Sequence, residues 1–296
     1  MTNLLRMEFR RLRISRYPWL TLLFSLLILS AFLFLINNSI QNYKESVESQ
    51  AASPAAISEQ SPGTENVSSA DNGVTVEASD DLIDFLAEED ANENLISQQL
   101  TGAGYLIFVI VFAAIYFTEP YRNGFIKNFI GLSSNRTGFI FAKYINAILG
   151  TVILFIAISL LFIWGAPLID SELFQVQEIG PMVKFISTHL VAHLAFVGLV
   201  LLVATLTRSL PATLLIGIVY SALLAMPILD LISLGAQKAF GLVSDWTIKP
   251  YTVMGSIDRL KWGVETNVYT EVLLVSLVYI AITLAASSLI LQRKDV

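Results

Sequence analysis

PWLTLLFSLLILSAFLFLIN, residues 18–37, holds no Asp, Glu, Lys or Arg. A helix advances about 1.5 Å per residue, so a run of this length covers about 30 Å, the hydrocarbon thickness of a bilayer. Five further stretches pass the same test: Leu100–Thr118, Tyr144–Trp164, Phe185–Leu206, Pro211–Leu229 and Val272–Leu291. The bulk composition agrees. Of 296 residues 55% are hydrophobic and 14% charged, more apolar matter than a soluble core absorbs. The expected fold is therefore an all-α integral membrane protein with six transmembrane helices. With no cysteine in the chain, disulfide frameworks and thiolate metal sites are excluded.

Proline punctuates these runs. Pro18 and Pro211 fall where a first helical turn tolerates a missing N–H, Pro120, Pro167 and Pro181 just outside the spans, and only Pro227 inside one, near its end. The first run is too long for the core of a signal peptide, and no convincing small-x-small cleavage site follows it, so it reads as a retained helix.

Charge orients the spans. Arg6, Arg10, Arg11, Arg13 and Arg16 precede the first; Arg122, Lys127, Arg136 and Lys143 lie between the second and third; Arg208 separates the fourth and fifth; Arg293 and Lys294 close the chain. The positive-inside rule puts these segments, and both termini, in the cytoplasm. The large loop 38–99 is acidic, as is the short one with Asp170, Glu172 and Glu178, and both are expected outside. Segment 230–271 fits less well, because it carries Lys238, Lys249, Arg259 and Lys261. Its glycines, Trp246, Tyr251 and Trp262 suggest helices dipping partway into the membrane, anchored at headgroup level. The first loop opens with Ser, Ala, Glu, Gln and two prolines, the composition of a partly disordered chain. Its second half, DDLIDFLAEED over 80–90, suits a short amphipathic helix; a calcium loop is disfavoured, since the glycine turn and ligand spacing are missing.

Two cytoplasmic segments carry more than topology requires. In the leader, residues 1–17, Leu5, Phe9 and Leu12 share one helical face beside a stripe of Arg6, Arg10 and Arg13. Such a helix lies in the membrane interface, as a topological anchor alone or also as an elbow touching a partner. The connector 119–143 mixes aromatics, charges and glycines: Glu119, Pro120, Tyr121, Arg122, Asn123, Gly124 and Lys127, then Ser133, Ser134 and Arg136, with Lys143 entering span three. A plain connection needs only a few polar residues, so this one is expected to dock on another protein.

In its layout the chain resembles the ATP-binding-cassette (ABC) export permeases of the second type, bacterial exporters of drugs, antibiotics and peptides. The likeness lies in six spans, a basic amphipathic leader, and a loop after span two that begins at Glu119, continues through Gly124, turns at Ser133 and Ser134, and ends in Lys143. The resemblance implies a coupling helix including Glu119, Tyr121, Arg122, Asn123, Gly124 and Lys127, docked on a separate ATPase subunit that holds ATP and Mg. It also implies a second permease subunit, the same or related, and a bacterial cell membrane. A translocation path beside spans two and five follows from it, with Phe112, Tyr116, Tyr220 and Leu224 as candidates; lipid-facing or packing roles fit those residues equally. The acidic first loop is less typical of that group and leaves the cargo open, among peptides, antibiotics and other amphipathic compounds.

No G-x-x-x-x-G-K-[ST] phosphate loop occurs, so the chain is expected to be a transport subunit and not itself an ATPase, with no cofactor, catalytic residue or metal of its own and no nucleic-acid partner. The only ionisable side chains inside the spans are His189 and His193, four residues apart on one face. Without a third ligand nearby in sequence, they read as hydrogen-bonded core histidines and not as a metal site. Two rivals stand beside the exporter: an ion-coupled carrier, for which no buried acid is visible in sequence, and a non-transporting scaffold or sensor.

Overall fold

The computed structural model describes residues 2–51, 91–101, 103–126, 136–169, 179–223, 225–241, 243 and 246–293, and among these the chain is helical with no strand. In chain order the helices are α1 (Thr2–Ile14), α2 (Arg16–Ala51), α3 (Ala91–Thr101), α4 (Ala103–Arg122), α5 (Arg136–Ile169), α6 (Ile179–Thr207), α7 (Leu210–Ile218), α8 (Ala225–Phe240), α9 (Val253–Arg259) and α10 (Thr266–Arg293). Five spans are long and apolar enough to cross a membrane: 16–42 in α2, 94–122 over α3 and α4, 136–168 in α5, and α6 and α10. The pair of α7 and α8, bent by 68°, makes a sixth if the two arms are one span. This architecture is compatible with a multi-pass membrane protein.

Several helices overrun the apolar stretches that announce them. α2 continues fourteen residues past Asn37, into the segment expected to be loop, because no Gly or Pro interrupts the chain between Pro18 and Pro54. α5 starts at Arg136 and not at Tyr144, so the connector 119–143 is shorter than expected. Hydropathy stops at a charge; a helix does not, provided the charge finds a partner.

The prolines also need correction. Pro120 and Pro167 lie inside α4 and α5, and Pro181 falls in the first turn of α6. The expected span 211–229 is bent: α7 loosens into a π-helical turn, Val219–Leu223, and a new helix begins at Ala225. A proline ring clashes with the carbonyl four residues back, and for Pro227 that is Leu223, the last residue of the loosened turn. Pro227 thereby occupies the first turn of α8, where its missing N–H costs nothing.

The core lies along α4, whose span is 62% buried against 28% for that of α2 and 22% for α10. Tyr105, Leu106, Val109, Ile110, Ala113 and Ala114 along α4 have no accessible surface. Close approach is set by small residues: a Cβ on Gly198 of α6 would stand 2.5 Å from Thr283 Oγ1 of α10. Several interior hydroxyls bond their own helices, as Thr118 does to the Ala114 carbonyl (2.6 Å) and Thr205 to that of Leu201 (2.8 Å).

Contacts between helix ends define two poles. At the first, α1 packs on α5 and is tied to α4 by side-chain bonds, Arg136 of α5 donates to the carbonyls of Leu291 and Gln292 at the end of α10, and Arg208 after α6 stands over the Tyr121 ring. The arginine-rich leader, the connector after α4, the turn after α6 and the end of α10 thus share one pole. At the second, α3, the start of α6, α9 and the start of α10 meet. Two of the four basic residues that fitted poorly in segment 230–271 are paired there, Lys249 with Asp230 (2.7 Å) and Arg259 with Glu271 (2.9 Å). The acidic loop residues 52–90, Lys127 through Ser134, Asp170 through Glu178, Leu224 and Lys294 lie outside the described residues.

Candidate functional site

The basic pole contains a buried cluster of ionisable groups built around Tyr116. It begins with Pro120. Lacking an N–H, Pro120 cannot close the helical bond to the carbonyl of Tyr116, one turn earlier, so that acceptor is free inside the bundle. The side chain of Lys143, from α5 and only 2% exposed, donates its Nζ–H to this carbonyl and lies 4.3 Å from the centre of the Tyr116 ring.

On the other side of the same tyrosine, its hydroxyl donates to Glu8 Oε2 of α1 at 3.0 Å. Glu8 is fully buried. Arg11, one turn on, reaches Glu8 Oε1 at 3.3 Å and Glu119 Oε2 at 3.4 Å, with its guanidinium 4.7 Å from the Phe125 ring centre. Two carboxylates and two cations are thereby gathered on three helices, formally neutral as a set. Glu8 and Lys143 are the buried members, while Arg11 and Glu119 keep about a fifth of their side-chain surface exposed, so it is the loss of Glu8 or Lys143 that would leave a buried charge without its counterpart.

This arrangement fixes the leader. Leu12 is buried as expected, but the residue that docks α1 is Glu8, while Leu5 and Phe9 remain 36% and 47% exposed and Arg6, Arg10 and Arg13 face outward. Sequence reading passed over Glu8 because one acid among five arginines looks like charge balance. The available signal was its spacing from Arg11 and Leu12, three and four residues on, which puts all three on one helical face.

Among the connector candidates, Glu119 and Tyr121 join this pole directly, through Arg11 and Arg208 respectively. Arg122 and Asn123 are exposed. Gly124 ends α4 with φ +64°, a backbone position that a side chain strains, and its N–H bonds the Tyr121 carbonyl at 3.4 Å. Lys127 is outside the described residues.

The path candidates do not converge within this chain. Phe112 and Tyr116 stack on each other at 6.0 Å and face α1 and α5, whereas Tyr220 stacks on Phe196 of α6 at 5.9 Å and borders cavities between α6, α7 and α8. Leu224 is not among the described residues.

The histidines form a separate buried group at the second pole. His189 Nε2 meets the Leu260 carbonyl at 2.8 Å, tying α6 to the end of α9, and His193 Nδ1 meets the His189 carbonyl at 2.7 Å. Tyr105 and Phe155 pack edge-on against the His193 ring. Among the described residues no cluster of three or more His, Cys, Asp or Glu is placed to hold a metal ion.

In comparisons with known proteins, no family model matches the chain and no curated sequence matches it.

Proposed function

We propose that this chain is the membrane permease subunit of an ABC exporter, moving a peptide, antibiotic or other amphipathic compound with ATP hydrolysed by a separate ATPase subunit. What supports this is one arrangement: Glu119, at the start of the connector, is bridged by Arg11 to Glu8, and Glu8 accepts from Tyr116, so the connector, α1 and α4 share one set of ion pairs and hydrogen bonds. Lys143 adds α5 to that set. A force applied to the connector would reach three helices at once, as coupling to an external motor requires. In this reading the basic pole is cytoplasmic, as the positive-inside rule favours, and a second permease copy or relative completes the path.

The two states that transport needs must differ in how they bind cargo or motor, since a ligand indifferent to both shifts neither. The experiment is co-purification of the ATPase, followed by its stimulation by candidate cargo in vesicles. Glu119→Gln should leave the permease folded and the ATPase bound, and cut cargo-stimulated hydrolysis by about ten-fold, the effect of about 1.4 kcal/mol of lost coupling. Full stimulation in the variant, or the absence of any ATPase partner, would count against the reading.

A second reading has one specific observation in its favour. Buried Glu8 and Lys143 are the kind of ionisable groups that an ion-coupled carrier uses inside its helices. Uptake or efflux driven by a proton gradient without ATP would select that reading.

A further inference from the structure

Beneath α1 lie two apolar cavities, side by side. The first, about 570 Å³, is walled by Leu12, Leu22, Phe112, Ile153 and Leu154, and Arg13 is its only charged lining residue. The second, about 550 Å³, is walled by Leu5, Ile145, Ile148 and Val152, and Arg6 is its only charged lining residue. Phe9 and Leu149 line both and form the partition. Each volume is within the roughly 300–1,000 Å³ of small-molecule pockets. Glycine at position 150 lets Phe112 serve as a wall of the first cavity: a Cβ there would stand 2.3 Å from the tip of the Phe112 ring.

We infer that these twin cavities bind one anionic diacyl phospholipid, an acyl chain on each side of the Phe9–Leu149 partition and the phosphate between Arg6 and Arg13. The match is of shape and charge. Two apolar clefts sharing one wall suit two chains of one molecule. Arg6 and Arg13 are seven residues apart on α1, about two helical turns, so both lie on one side of the helix. Among the described residues neither guanidinium has a carboxylate partner; Glu8 and Glu119 are both taken by Arg11. Trp19 donates its indole N–H to the Arg13 carbonyl at 3.3 Å, which holds the ring at the rim of the first cavity, an amphipathic group of the kind found at headgroup depth. This goes beyond an interfacial helix resting on lipid: it specifies a headgroup charge, a stoichiometry and two arginines out of five.

Trp19 is the reporter. With Trp164, Trp246 and Trp262 replaced by Phe, its fluorescence is followed in vesicles in which either phosphatidylglycerol or phosphatidylcholine carries brominated, quenching chains at equal mole fraction. Phosphatidylglycerol should quench with about a 25-fold higher relative affinity, about five-fold from each of two arginines near an anionic headgroup. Arg13→Gln should cut that ratio about five-fold. Arg10→Gln removes the same charge from a side chain that lines neither apolar cavity but a polar cleft shared with Arg6, Arg11 and Glu119, and should retain the preference. Equal quenching by both lipids would mean ordinary boundary lipid and overturn the site. So would an equal loss in Arg10→Gln, which would mean diffuse attraction, or no quenching by either lipid, which would mean that protein covers Trp19. Native mass spectrometry of the unsubstituted chain gives an independent check: one anionic phospholipid should stay bound per chain through detergent washing, and its complete loss under conditions that keep the chain folded would sink the proposal.

Discussion

At the basic pole four ionisable side chains, Glu8, Arg11, Glu119 and Lys143, gather around Tyr116, with Glu8 and Lys143 sealed from solvent. At the opposite pole the helices are joined by neutral groups: His189 and Thr101 both bond the carbonyl of Leu260, Ser97 accepts from the N–H of Trp262, and the two ion pairs present are half exposed. The difference lies in what a rearrangement would cost. Neutral bonds to backbone can be replaced by water or by a neighbouring hydroxyl at little loss, whereas separating buried charges leaves each one desolvated and alone. The first pole therefore moves as a unit or in discrete steps, while the second can adjust locally.

Substitutions at the two poles sharpen or break this contrast. Glu8→Ala should be the most damaging, costing on the order of 3 kcal/mol because Arg11, Lys143 and the Tyr116 hydroxyl all lose their buried carboxylate. It is read as a lowered thermal unfolding midpoint in detergent. Lys143→Met should cost less, about 1–3 kcal/mol, mainly through the unsatisfied Tyr116 carbonyl. Adding Pro120→Ala to that variant restores a main-chain N–H to the orphaned carbonyl and should recover about 1 kcal/mol, a gain not expected from Pro120→Ala alone. Strict additivity of the two changes would show that Pro120 and Lys143 are not linked through this acceptor. His189→Phe, at the neutral pole, should be mildest at about 1 kcal/mol, because Leu260 keeps its bond from Thr101 and the ring still packs on Phe185. If His189→Phe proved as damaging as Glu8→Ala, the contrast between the poles would be lost.

The spans were legible in sequence because lipid tolerates only long uncharged runs, and five long apolar helices appear where five of the six stretches predicted them. The sixth stretch holds a bend of 68° that its hydropathy does not announce. Pro227 reads in sequence as lying inside the span near its end, and its clash with the Leu223 carbonyl puts the break a turn upstream. Pro120, expected just outside its span, lies within α4, and a helix that runs through a proline leaves the carbonyl four residues back, here that of Tyr116, in need of another donor. The pairing of Glu8 with Tyr116 is a different case. These residues are 108 positions apart, and no local pattern joins them.

Sequence by itself determined which segments can lie in hydrocarbon and which pole carries the positive charge, since both depend on composition summed over a stretch and not on any partner. Tertiary structure alone decided that one arginine of five is committed to an ion network, that a lysine is consumed inside the bundle, and that two clefts open beneath the leader. Pairing and cavity shape depend on distances between helices, and a charge or a void has its meaning only once the neighbouring surface is in place.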